Sequence, residues 1–412
     1  MRPEKRIEQR MEALQAANLW RDPAPRAAPE TEPNDGMIDG RSNDYLGFGR
    51  AHVSREAFSD FIDLGATASR LISGTGPEHL ALETELAGWL GLESALLFSS
   101  AYDANFGTLS ALGLAQDVIF SDALNHASII DGCRLSRARV VVTPHRDLGA
   151  LRRALAEHAS GPGALWVVTE SYFGMDGTSP NLRGLRALCD FYEAGLIVDE
   201  VHALGVFGPE GRGRCAEAGV VPDLLIGGFG KAFALHGGFA AGSELLRSWL
   251  WNRARSFVFS TGTSPLLARL TRQRLAELRA AEARRRQLAE ASARLSAQLE
   301  QAGVTLPPGR EGPVFPIIFG GEVAALTAAS ELRRHGVLAH PIRPPTVPIG
   351  TSRLRLNLRA DFDDEVVDAI GAALIRTWTQ LAAEPPRGAL SPGATAALDP
   401  ESVRLPSEQS AE

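Results

Sequence analysis

The 412-residue sequence predicts an α/β protein, with a large domain built on a mainly parallel sheet and a smaller α+β C-terminal domain. Three observations predict it. Between residues 42 and 286, short apolar runs alternate with stretches of helical spacing, the pattern of strands joined by crossover helices. An Arg-, Ala-, Leu- and Glu-rich helical stretch then continues to Gln301. Beyond it, short runs at 314–319, 337–340 and 353–358 mix with helical stretches at 323–335 and 364–382.

From the N-terminus onward, Ile7, Met11, Leu14 and Leu19 recur at helical spacing and predict a helix over 4–20, followed by a Pro-, Ala- and Asp-rich arm over 21–39. Runs at 95–98, 117–120, 139–142, 164–168, 196–198 and 224–226 read as strands covered by helices on both faces. Ser264-Pro265 reads as an N-cap and first-turn proline that opens one long helix or two. The expected divisions are an N-terminal helix and arm over 1–48, a large domain over 49–290, and a small domain over 291–384. A Pro-, Ser-, Gly- and Ala-rich tail over 385–412 is expected to be disordered.

The chain is 44% hydrophobic and 22% charged, with a net charge of −7 and the two signs interspersed. That balance suits a globular enzyme and argues against nucleic acid or an anionic membrane as a partner. No apolar run approaches the ~18 residues of a spanning helix, and the charged first residues do not resemble a signal peptide. A cytoplasmic location is the expectation. Cys133, Cys189 and Cys215 are too scattered for a disulfide framework or a zinc knuckle.

Lys5 and Lys231 are the two lysines among 42 basic residues. Chemistry that needs a neutral amine therefore points to Lys231, because a guanidinium stays protonated. Lys231 follows the run 224–226 in Gly227-Gly228-Phe229-Gly230-Lys231, at the strand end where open α/β sheets bind ligands. Asp199 closes the run 196–198, and His202 follows it. A lysine and a strand-end carboxylate suit pyridoxal phosphate: the amine holds the aldehyde as a Schiff base and the carboxylate keeps the pyridine nitrogen protonated. At about 4 Å and an effective dielectric near 20, such a pair is worth about 4 kcal/mol, enough to protonate the pyridine. Ser99 to Asn105 joins a strand to a helix, a setting for a phosphate. His126, in Asn125-His126-Ala127-Ser128, is placed to stack on a flat cofactor. The Gly-rich stretch 205–213 lacks both the P-loop ending and the dinucleotide fingerprint, and reads as a loop of several turns.

In this order the pieces resemble the α-oxoamine synthases, a family of fold-type I pyridoxal phosphate transferases, from Ser42-Asn43-Asp44-Tyr45-Leu46-Gly47 to about Leu381. The likeness is carried by Ser69-Arg70-Leu71-Ile72-Ser73-Gly74 with His79, by Met175-Asp176-Gly177, and by Asp199-Glu200-Val201-His202. Phe229-Gly230-Lys231, Phe259-Ser260-Thr261, and Ile342-Arg343-Pro344-Pro345-Thr346 with Arg353-Leu354-Arg355 complete it. The resemblance implies that Lys231 is the Schiff-base lysine, Asp199 the partner of the ring nitrogen, His202 the donor to the ring hydroxyl, and His126 the stacking residue. It implies that Ala101 and Tyr102 lie in the phosphate turn, that Thr261 reaches the phosphate of a second subunit in a homodimer, and that Arg355 binds the amino-acid carboxylate. Arg343 and His79 are placed near the substrates. The implied reaction joins L-alanine to an acyl thioester, pimeloyl-CoA or a carrier-protein form, giving 8-amino-7-oxononanoate, coenzyme A and carbon dioxide. A different small amino acid with a different thioester, or a non-catalytic binding protein on the same fold, stays open. The family usually carries Gly at 101, a hydroxyl residue at 174, Thr or Ser at 228 and a small or hydroxylated residue at 236; here stand Ala101, Gly174, Gly228 and His236. The departures at 174 and 228 imply two fewer side-chain bonds to the cofactor, and His236 bears on substrate choice.

Overall fold

A computed structural model describes residues 3–21, 36–49 and 63–382. The predicted tail over 385–412 and most of the predicted arm lie outside the described residues. The chain opens with α1 (Pro3–Ala16), which buries none of its residues within the chain, and β1 (Ile38–Asp39). There follow α2 (Pro77–Leu90), β2 (Ser94–Phe98), α3 (Ala101–Leu112), β3 (Val118–Asp122), α4 (Ala127–Leu135) and β4 (Arg139–Thr143). Next come α5 (Leu148–His158), β5 (Leu165–Glu170), α6 (Leu182–Phe191), β6 (Gly195–Asp199), α7 (Gly213–Ala218), β7 (Leu224–Gly228) and β8 (Gly238–Gly242). All six predicted strands of this half are present.

They form a seven-stranded sheet in the order β2-β8-β7-β6-β5-β3-β4, with β3 to β7 parallel and β8 antiparallel to both its neighbours. Side chains alternate across it: Ile119, Val168 and Ile197 pack into one core with Leu109 of α3 and Ile129 of α4, while Phe120, Val167 and Leu196 pack into another with Leu155 of α5 and Leu185 of α6. The chain runs outward from β3 to β4 and then returns to β5 on the other side of β3. That reversal leaves a crevice beyond the carboxyl ends of the strands. Strand β8, Gly-Phe-Ala-Ala-Gly, was not among the predicted strands; it carries no β-branched residue because it is pressed between β2, β7 and the start of α3, where a Cβ on Gly238 would overlap the backbone of Ser100 and Ala101.

After α8 (Glu244–Arg253) and α9 (Arg255–Val258), the Ser264 hydroxyl caps α10 (Pro265–Ala280), accepting from the Leu267 N–H. Of the two alternatives, one long helix or two, the structure has two, broken at Ala281 before α11 (Glu282–Gln301). The rest is β9 (Val314–Gly320), α12 (Glu322–Arg334), β10 (Val337–Leu338), β11 (His340–Ile342), β12 (Ser352–Asn357) and α13 (Asp364–Ala382). Strands β11, β12 and β9 form an antiparallel sheet, and β10 pairs with β1. Among the described residues no helix is long and apolar enough to cross a membrane.

Candidate active site

Three parallel strands end in a buried carboxylate at the same edge: Asp122 on β3, Glu170 on β5 and Asp199 on β6. Glu170 and Asp199 are direct register partners. The neighbouring strand β7 ends at Gly228, and Lys231 stands three residues beyond it. Burial lowers the Lys231 pKa to about 8, with Asp199 and Glu170 pulling it back up and Arg355 lowering it further. Its amine makes no hydrogen bond or ion pair with any described residue. Burial, then the Asp199 charge, raise Glu170 well above the carboxylate range, against the opposing pull of Lys231 and the His126 backbone N–H. Sequence reasoning missed Glu170, although its signal, a carboxylate closing a buried strand, is the one that found Asp199.

The Asp199 carboxylate is held by two donors. Oδ1 accepts from the Val201 N–H at 2.8 Å and Oδ2 from Asn105 Nδ2 at 2.6 Å. His202 is buried, its Nδ1 lies 2.8 Å from the Tyr45 hydroxyl, and burial with the Lys231 charge keeps its pKa well below that of a free imidazole. A Cβ at position 174 would overlap the His202 ring, so Gly174 makes room for this imidazole. His126 caps α4, and its ring and that of Tyr102 meet edge to face with centroids 6.3 Å apart. Its imidazole, desolvated on the protein side and open to the cleft on the other, has a lowered pKa; Asp199 opposes the shift and Lys231 adds to it.

The α3 N-terminus meets the same edge. Ser100 caps it, accepting from the Asp103 N–H at 3.0 Å, and the first-turn N–H groups of Ala101 and Tyr102 have no partner inside the helix. A Cβ at 228 would lie 2.9 Å from the Ala101 Cβ and 3.2 Å from a Val201 methyl. Positions 101 and 228 therefore share one space, which holds Ala with Gly. The Tyr102 ring is exposed, and its hydroxyl donates to Asp131.

On β12, Arg355 is buried and donates from Nε to the Gly174 carbonyl at 2.5 Å and from Nη2 to Asn43 Oδ1 at 2.7 Å. Its Nη1 is bonded to no described residue. Arg353, two residues away on the same strand, is closed by Asp176 Oδ1 at 2.6 Å and by the Met175 and Thr351 carbonyls. Arg343 donates to the carbonyls of Asn18 and Trp20 and so fastens the N-terminal segment, while Arg21 reaches back to Thr346 Oγ1 at 3.3 Å. His79 is fully buried, with Nε2 on the Thr263 carbonyl at 2.7 Å and Nδ1 accepting from the Gly76 N–H. Thr261 is exposed, bridges Ser69, and is tied to none of the Lys231 group. His236 lies exposed in the β7–β8 connection. The Gly-rich loop is gathered by Glu200, whose carboxylate takes the N–H groups of Arg214 at 3.0 Å and Cys215 at 2.6 Å and the Ser171 hydroxyl at 2.7 Å.

An amine without a partner among the described residues, set with two strand-end carboxylates and an arginine at the carboxyl edge of the parallel sheet, defines a ligand-holding site of fold-type I transferases. Residues 36–374 match the aminotransferase class I and II family, and the chain belongs to that family and to its α-oxoamine synthase branch. It is 39% identical to the 8-amino-7-oxononanoate synthase of Trichlorobacter lovleyi, over 91% of this chain and 98% of that one. It is 41% identical to the enzyme of the same name from Anaeromyxobacter sp. strain K, over 92% and 97%. Among solved structures it resembles the serine palmitoyltransferase of Sphingomonas wittichii, with a TM-score of 0.82 and 28% identity over 92% of this chain and 98% of that chain. It also resembles the 8-amino-7-oxononanoate synthase of Francisella tularensis, with a TM-score of 0.73 and 25% identity over 85% of this chain and 99% of that chain.

Proposed function

We propose that this chain is a pyridoxal phosphate-dependent acyltransferase of biotin biosynthesis. It condenses L-alanine with pimeloyl-CoA, or with a pimeloyl-carrier protein, to give 8-amino-7-oxononanoate, coenzyme A and carbon dioxide. One observation carries the reading: Lys231, one of two lysines in the chain, is an unpaired amine with a pKa near 8 between Asp199, Glu170 and Arg355.

The donor set fits the cofactor. A largely desolvated amine suits an aldehyde, the acceptor-only Asp199 suits a protonated ring nitrogen, and the α3 N–H groups suit a phosphate. When bound, the cofactor supplies an electron sink for the bond-breaking at the amino-acid α-carbon. In this reading Lys231 Nζ holds the aldehyde at rest and takes the α-proton during turnover, as a base whose pKa lies near the working pH. Asp199 keeps the proton on the ring nitrogen, His202 donates to the ring hydroxyl, and His126 covers the ring face. Ala101 and Tyr102 hold the phosphate through their backbone, with Thr261 contributed by a second copy. Arg355 offers its free Nη1 to the amino-acid carboxylate. Arg343 and His79 act at one remove, fixing the segments at 18–21 and 263 that border the substrates.

A homodimer fits the surface. Leu64, Ile72 and Phe259 are 75%, 79% and 74% exposed on the segments joined by the Ser69–Thr261 bridge, large apolar side chains that a second copy would cover. The test is alanine-dependent release of coenzyme A thiol from pimeloyl-CoA by the loaded protein, with the product identified by mass. No release from protein that has taken up the cofactor overturns the reading. A second reading, the same chemistry on another small amino acid and thioester, draws on Gly174 and His236; a panel of glycine, serine and alanine against acyl-CoAs of graded length separates the two.

A further inference from the structure

A carboxylate only accepts hydrogen bonds, and this sets the direction of each bond in a buried chain that leads away from Asp199. Asn105 turns Nδ2 to Asp199 Oδ2 at 2.6 Å, and the second hydrogen of Nδ2 goes to Ser128 Oγ at 3.0 Å. The Ser128 hydroxyl has one hydrogen of its own, and the acceptor beside it is His126 Nδ1 at 2.8 Å. The Ser128 backbone N–H addresses the same nitrogen at 3.2 Å. Two donors on Nδ1 leave the imidazole proton on Nε2. Asn105 and Ser128 are each 1% exposed, so the bonds are made inside the protein. Asn105 Oδ1 is buried without a partner. Turning the amide over would set that oxygen against the Asp199 carboxylate, acceptor facing acceptor, so the fold keeps an unsatisfied acceptor and uses both hydrogens of Nδ2.

We propose that Asn105 and Ser128 are positioning residues that form a one-way relay from Asp199 and hold His126 in its Nε2–H tautomer. The open end of the imidazole then meets a ligand as a hydrogen-bond donor. Asp199, Asp131 and Lys231 act on the ring electrostatically, the Tyr102 ring meets it edge to face, and the His126 backbone N–H acts on the Glu170 carboxylate. The relay's importance to turnover rests on the proposed function above, but its geometry does not.

The test is the state of His126, followed by the 13C and 15N shifts of its ring in the full chain, without and with pyridoxal phosphate, and assigned with His126→Gln. The native chain is expected to show the Nε2–H form near neutral pH. Asn105→Asp reverses the donor at the centre of the relay, so Ser128 turns its hydrogen away from the ring. The His126 midpoint should rise by about one pH unit, roughly tenfold in proton affinity. In a Ser128→Ala background the same change should move it by less than half as much. An equal shift in both backgrounds would show a through-space charge effect and overturn the relay, as would an Nδ1–H native form. If Asn105→Asp does not fold, Ser128→Ala alone decides: an unchanged ring signature overturns the proposal. Because the cofactor-free arm needs no activity, failure there is distinct from failure of the synthase reading.

Discussion

Arg70 and Glu83 lie buried where the 66–76 segment meets α2, and Lys231 and Asp199 lie at the edge of the seven-stranded sheet. Each cluster sets a cation near a carboxylate, and they are closed differently. The Arg70 fork donates to both Glu83 oxygens at 3.0 and 3.2 Å, its Nε goes to Thr75 Oγ1 at 2.9 Å, and its plane lies 5.7 Å from the Trp251 and Phe257 centroids. Glu83 also accepts the Leu97 N–H at 2.9 Å. At the sheet edge each oxygen of the acid accepts a bond, from Asn105 and from Val201, and the amine is held by no described residue. A buried cation paired through all three of its nitrogens organises the fold, whereas one left open is poised for a ligand.

Lys231→Ala breaks this contrast most directly. Turnover should be abolished while the cofactor-free protein melts no lower than the native one; an alanine variant that still releases coenzyme A would remove the lysine from its role. Glu83→Ala should do the opposite, lowering stability by about 3–5 kcal/mol through an unpaired buried guanidinium, as read by urea denaturation. A loss below about 1 kcal/mol would place the ion pair among ordinary surface pairs.

The pH dependence of stability sharpens the comparison. The folded pKa of Lys231 is depressed to about 8 from a usual 10.5, so between those values the unfolded chain carries the proton and the folded one does not. Stability of the cofactor-free chain should therefore rise with pH across that window, by about 3 kcal/mol relative to Lys231→Met. Parallel melting curves for the two would contradict the desolvated amine. Arg355→Ala should raise the L-alanine KM on the order of 10- to 100-fold, matching the ~1.5–3 kcal/mol of bonds to a charged group, with a smaller change in kcat. Unchanged alanine saturation sinks that assignment. Gly228→Thr should weaken cofactor binding by about 1–3 kcal/mol through overpacking against Ala101, and adding Ala101→Gly should restore most of it; additive effects in a titration of absorbance would mean the two positions do not share a space.

Legibility followed the range of the signal. The strands β2 to β7 could be read because a buried strand needs a short continuous apolar run, which is local. Strand β8 could not, since its small residues are selected by close neighbours that arrive from β2, β7 and α3. Asp199 and Lys231 stood out by strand-end position and by rarity. Glu170 carried the same strand-end mark as Asp199 but lay two residues past the apolar run 164–168; Asn105 and Ser128 carried no local mark, and Arg353 and Arg355 look equivalent in sequence although one is closed and the other open.

The sequence by itself determined which runs become strands β2 to β7, which amine is available, and the order of the motifs that carry the family likeness, because each is written in a few adjacent residues. Only the tertiary structure decided that Asn105 meets Asp199 across 94 positions of chain, that Gly174 admits His202, and that the Lys231 amine finds no partner. Those outcomes depend on which donors and acceptors the packing brings within about 3 Å of one another, and a hydrogen bond of that kind has no signature along the chain.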